Sequence, residues 1–112
     1  MILTKAQSPE PDKDPAMLTH IVCFKYKAET PESDRQEHRT RLRGLRDLGI
    51  DGIHNLTVGE DIVRSPRSYD TGLIVIFRDR AALDAYQQNP NHVPVAQFGV
   101  SLCDSIVAVD FF

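Results

Sequence analysis

The chain has 112 residues and a formal charge of −3, which leaves room for one domain and one core and gives no cationic excess for nucleic acid or an anionic membrane surface. No apolar run approaches the roughly 18 to 20 residues that span a bilayer, and Met1-Ile2-Leu3 is too short and lacks the flanks of a secretory signal. A cytoplasmic protein is expected, its two cysteines, Cys23 and Cys103, reduced and without metal-site spacing.

Residues 1–16 hold three of the seven prolines and have no apolar periodicity after Leu3. They read as a disordered tail ahead of a domain over 17–112. Met17 stands directly before the first predicted strand, where a natural start would place it. From Leu18 to Lys27 the chain alternates. Leu18, His20, Val22, Phe24 and Tyr26 share one face, and Thr19, Ile21, Cys23, Lys25 and Lys27 share the other.

Thr30-Pro31 reads as a helix N-cap followed by proline at the first helical position. That helix is predicted to run to about Leu48 and to end at Gly49. Its inward stripe, His38, Leu42, Leu45 and Leu48, is narrow. Arg35, Arg39, Arg43 and Arg46 recur at helical spacing among Glu32, Asp34, Glu37 and Asp47, so they are expected on a solvated outer face.

Residues 53–59 form a weaker alternating segment with His54, Leu56 and Val58 on one side. After a polar loop, a strand is predicted over Tyr69–Phe77, and its centre, Leu73-Ile74-Val75-Ile76-Phe77, is apolar on both faces. Such a strand needs cover on both sides. Asp79 caps a short helix through Gln88 that turns Ala82, Leu83 and Tyr86 inward. Beyond Asn89-Pro90 a second helical piece is expected between Asn91 and Leu102, with Pro94 tolerated in its first turn. Ser105–Phe112 reads as the last strand. The order β-α-β-β-α-β is the ferredoxin-like plan of the α+β class. Its helices cover one sheet face only, so the two-sided strand predicts a second copy of the chain on the other, a homodimer.

Tyr86 and His92 flank the Asn-Pro break, close enough for one bend to bring them together. A neutral imidazole is the base suited to removing a proton next to a carbonyl near neutral pH. A tyrosine hydroxyl can hold the carbonyl oxygen or stabilise the developing enolate. Against this, Tyr86 also fits as a core tyrosine with a satisfied hydroxyl, and His92 as the cap of a turn. His20 is either a satisfied core histidine or a pocket wall. Asp110 either fixes the tautomer of His20 or His92, or is an edge or dimer-contact residue. His38 and His54 belong to no metal-ligand spacing and read as structural or solvent-facing.

Four segments, HIVCFKYK (20–27), SYDTGLIVIF (68–77), RAALDAYQQNPNHV (80–93) and IVAVDFF (106–112), resemble in order the stress-responsive α/β-barrel (Dabb) family. The resemblance spans 18–112 and implies a ferredoxin-like unit whose sheets pair into a dimeric α+β barrel. Plant polyketide cyclases of this kind close a linear chain by aldol condensation without metal or organic cofactor. Their tyrosine–histidine pair falls on Tyr86 and His92, and two further polar positions fall on His20 and Asp110. The chain departs from the pattern at Asn89 and at Thr71, where the family often carries histidine. No ligand cluster carries over a divalent ion. The resemblance implies a homodimer that binds a small, largely apolar carbonyl compound, polyketide-like in kind, with no cofactor. The alternatives are a cofactor-independent cyclase or isomerase with His92 as base and Tyr86 as hydrogen-bond donor, and a structural stress protein without ligand.

Overall fold

In a computed structural model that describes residues 17–112, the chain forms β1 (Leu18–Tyr26), α1 (Glu32–Gly44), β2 (Ile53–Glu60), β3 (Thr71–Phe77), α2 (Arg80–Gln88), α3 (Val93–Leu102) and β4 (Cys103–Phe111). The tail expected over residues 1–16 lies outside the described residues. The strands make one antiparallel sheet in the order β2-β3-β1-β4. This is the ferredoxin-like arrangement, with the second crossover divided between α2 and α3.

Along β1, Leu18, His20, Val22, Phe24 and Tyr26 are buried and the residues between them are not, as the period of a pleated strand requires. Leu42 and Leu45, Ala82, Leu83 and Tyr86, and Val95 pack from the helical side onto Leu18, Val22, Phe24, Leu73, Val75 and Phe77. On the opposite face the register sets Ile21 between Ile74 and Val109, and Cys23 between Gly72 and Val107. Among the described residues nothing covers that face. Ile74 is 40% exposed, Val107 47% and Val109 53%. Both cysteines are free.

Several local expectations are corrected. Pro31 itself occupies the N-cap of α1 and makes no side-chain capping bond. The Thr30 hydroxyl instead donates to the Leu102 carbonyl at 2.9 Å. It ties the start of α1 to the end of α3, an acceptor no local pattern reveals. After Gly44 a single 3₁₀ turn, Leu45–Asp47, carries the chain to Leu48, and Gly49 turns it away with φ +69°. That turn advances about 120° per residue, against about 100° in an α-helix. Leu48 is thereby rotated off the inward stripe and is 43% exposed.

Arg39 is not on a solvated face: it is 3% exposed, its Nε donates to Thr71 Oγ1 at 2.8 Å, and Glu32 and Glu60 lie 3.5 and 3.7 Å from Nη1. Arg35 is half-buried and donates to the Thr30 and Lys27 carbonyls at 2.9 and 3.1 Å, while Arg43 and Arg46 are exposed as expected. The narrow apolar stripe of α1 is thus widened by the stem of Arg39. β3 begins at Thr71 rather than Tyr69, whose hydroxyl lies 2.8 Å from Ser105 Oγ. α3 starts at Val93, with Pro94 in its first turn.

Candidate functional site

The pairing of β1 with β4 sets His20 opposite Asp110, and His20 Nδ1 bonds the Asp110 carboxylate across the two strands. A carboxylate accepts, so Nδ1 carries the proton that it donates. The His20 ring faces the Tyr86 ring edge-on with centroids 6.1 Å apart. Of the two imidazoles that Asp110 could reach on the sequence, it bonds His20 and not His92.

α2 is fixed at its start by Asp79, whose Oδ1 accepts from the Ala82 amide at 2.8 Å. Seven residues on, Tyr86 is 1% exposed, with its ring 4.9 Å from that of Phe77. The helix ends at Gln88, and Asn89 organises the bend. Its carbonyl accepts from the His92 and Val93 amides at 2.9 and 3.0 Å, and its side-chain oxygen accepts from the Asn91 amide at 2.8 Å. This folds His92, the N-cap of α3, back onto Tyr86. The two rings stack with centroids 3.8 Å apart and 28° between their planes.

The Tyr86 hydroxyl and His92 Nδ1 are buried and have no hydrogen-bond partner among the described residues. Burial pushes the Tyr86 phenol well above its ordinary range, so it stays protonated as a donor. Burial also lowers the His92 pKa below its ordinary value. The Tyr86 backbone opposes the shift and the His20 imidazole adds to it. A neutral imidazole beside an undissociated phenol can accept at one point and donate at the other.

His38, expected from the sequence to be structural or solvent-facing, lines the same place. It is fully buried, with Nδ1 2.8 Å from the Tyr26 hydroxyl, and its Nε2 has no partner among the described residues. Burial first, and the Arg39 guanidinium second, bring its pKa down to about 4. One signal was available: His38 lies on the Leu42 stripe of α1, which packs on the strand face that carries His20. His54 is exposed at an irregularity in the β2–β3 register and takes no part.

These groups line one cavity of about 220 Å³ between β1, β4 and the three helices. Its polar lining is His20, His38, Tyr86, Gln87 and His92. Phe24, Leu42, Leu73 and Val95 make its apolar walls, and the exposed Val100 and Ile106 mark its mouth. Asp110 stays outside the lining and acts on it through His20. Among the described residues no three or more His, Cys, Asp or Glu side chains gather as a metal site, and no helix is long and apolar enough to cross a membrane.

Residues 18–112 match the Stress responsive A/B Barrel Domain, Dabb. The chain belongs to the Dabb family. Among solved structures, this Dabb domain is similar to a dimeric ferredoxin-like protein of unknown function from Jannaschia sp. CCS1. The two are 29% identical, with 87% of this chain and 99% of that one covered and a TM-score of 0.73. A dimeric ferredoxin-like protein of unknown function from Thermobifida fusca YX is 22% identical, covering 85% and 89% with a TM-score of 0.77. The hydroxynitrile lyase of Passiflora edulis shares the fold at 16% identity, covering 87% and 93% with a TM-score of 0.77. No curated protein matches the chain.

Proposed function

We propose that this Dabb protein works as a homodimer that binds a small, largely apolar carbonyl compound in the cavity lined by Tyr86 and His92. One observation carries the reading. Of the four buried side-chain polar atoms without a partner among the described residues, three, on His38, Tyr86 and His92, belong to cavity-lining residues. An unsatisfied buried polar group costs about 1–3 kcal/mol, and a ligand carbonyl oxygen removes that cost at a donor such as the Tyr86 hydroxyl. A cavity of about 150 Å³ holds benzene, so 220 Å³ suits one ring or a chain of comparable bulk. Dimerisation is supported by the uncovered apolar sheet face and by relatives described as dimeric. In a thermal-shift titration, 2-heptanone and cyclohexanone are expected to raise the Tm of the parent, and Tyr86→Phe is expected to weaken both about tenfold. Unchanged melting across a panel of small ketones, with the fold intact, leaves the structural protein without ligand as the surviving reading.

A second reading is favoured by the stacked, buried His92 with its free Nδ1. Here His92 is a base that takes a proton from the carbon next to the bound carbonyl, and the Tyr86 hydroxyl donates to the enolate oxygen. Reprotonation of the enolate from His92 at another carbon completes an isomerisation. In the alternative course the enolate carbon attacks a second carbonyl of the same molecule, closing a ring, and the resulting alkoxide takes the proton that His92 holds. The test is deuterium incorporation into bound ketone in D₂O, followed by mass spectrometry. Exchange above the buffer rate is expected with the parent and is expected to vanish in His92→Ala. Equal rates for the two proteins remove the catalytic reading and leave binding alone.

A further inference from the structure

Behind the cavity, a chain of hydrogen bonds fixes which nitrogen of His38 carries its proton. Arg39 only donates, and its Nε gives to Thr71 Oγ1 at 2.8 Å. Thr71 is buried, and its other partner is the Tyr26 hydroxyl at 2.9 Å. The Thr71 proton is therefore satisfied by the Tyr26 oxygen, which sends the Tyr26 proton on to His38 Nδ1 at 2.8 Å. The reverse order would leave the Thr71 proton buried without an acceptor. A neutral imidazole that accepts at Nδ1 carries its hydrogen on Nε2. Among the described residues that N–H meets no acceptor, and its side chain has no exposed surface. Gly99 packs beside the ring, where a Cβ would lie 2.7 Å from Nε2 and displace it.

We propose that His38 is a ligand-recognition residue whose Nε2–H donates to a second acceptor oxygen of the bound compound. The ligand is then an uncharged molecule with two carbonyl-type oxygens joined by an apolar stretch, one oxygen at Tyr86 and the other at His38. An anionic ligand is disfavoured, because the nearest cation, Arg39, gives its Nε to Thr71 and lies beside Glu32 and Glu60. The assignment rests on the cavity being a ligand site.

Two ketones of similar size test it: 2-heptanone, with one carbonyl, and 2,6-heptanedione, with two, titrated calorimetrically into the parent, His38→Leu and Tyr86→Phe. The parent is expected to prefer the diketone about tenfold. In His38→Leu that preference falls to about one, the diketone losing more affinity than 2-heptanone, whereas Tyr86→Phe weakens both ketones alike. A preference that survives His38→Leu overturns the role of His38 and leaves the cavity reading standing. Failure of both ketones to bind the parent overturns the cavity reading and this one with it. Should His38→Leu not fold, ¹⁵N-detected imidazole correlations on the parent decide. Protonation on Nε2 is expected, and a His38 protonated on Nδ1 removes the donor and the proposal.

Discussion

Each imidazole in the cavity is set by a different neighbour: His20 by Asp110, His92 by the Tyr86 ring, and His38 by Tyr26 and Arg39. For His38 the consequence is measurable. Its pKa falls from 6.5 in the unfolded chain to about 4 in the folded one. Between those values the unfolded chain binds the extra proton, so acid favours unfolding. The contribution of this residue is thus whole above pH 6.5 and is lost as the pH falls through about 4. A difference of this size corresponds to roughly 3 kcal/mol, and the lowered pKa of His92 acts in the same direction. Urea unfolding at pH 7 and at pH 4 is expected to reveal the loss, and His38→Leu to reduce the pH dependence. A stability that is flat over this interval would contradict a buried neutral His38. The sequence made His20 and His92 legible, because a strand alternation and an Asn-Pro bend are local patterns. It did not reveal His38 as a wall of the cavity, since that depends on Tyr26 and Thr71, which reach it only through the fold.

At the level of elements, the same division between local and distant causes separates the features that the sequence displays from those that only the fold creates. The Asp79 cap of α2 is an interaction within one turn, and it stands in the structure as the sequence indicated. Thr30 has the residue type of a cap, yet its hydroxyl goes to Leu102, because α3 ends against the start of α1. Arg39 shares its spacing with the exposed Arg43 and Arg46, and only Thr71, 32 residues away in the chain, distinguishes it. Where α1 meets α3, Gly99 allows the contact with the His38 ring. Gly99→Ala gains about 1 kcal/mol of helix propensity. It also forces a methyl to within 2.7 Å of Nε2 on a ring with no exposed surface to yield into. Overpacking of a core contact costs about 1–3 kcal/mol, so the clash is expected to win. A lowered Tm in Gly99→Ala is the expected outcome, and a raised one would mean that the ring has room to move.

For the whole molecule, the decisive feature is the sheet face that the helices leave bare. Ile74, Val107, Val109 and Phe111 are each 40–53% exposed, and Ile21 and Cys23 lie among them. A contiguous apolar patch of this kind marks an interaction surface, and a stable association needs about 800 Å² from each partner. A second copy supplies an identical patch, so the face is self-complementary about a two-fold axis. Light scattering at micromolar concentration is accordingly expected to give twice the chain mass. Val109→Glu sharpens the test, because Val109 stands opposite Ile21 on the bare face and away from the cavity. In an isolated chain a carboxylate there stays hydrated and costs little. In a dimer seam it is buried in each copy without a cation, a penalty of several kcal/mol. The variant is therefore expected to run as a folded monomer with an unchanged far-ultraviolet circular dichroism spectrum. A Val109→Glu protein that remains a dimer would move the seam to another surface and leave the bare face without an assigned partner.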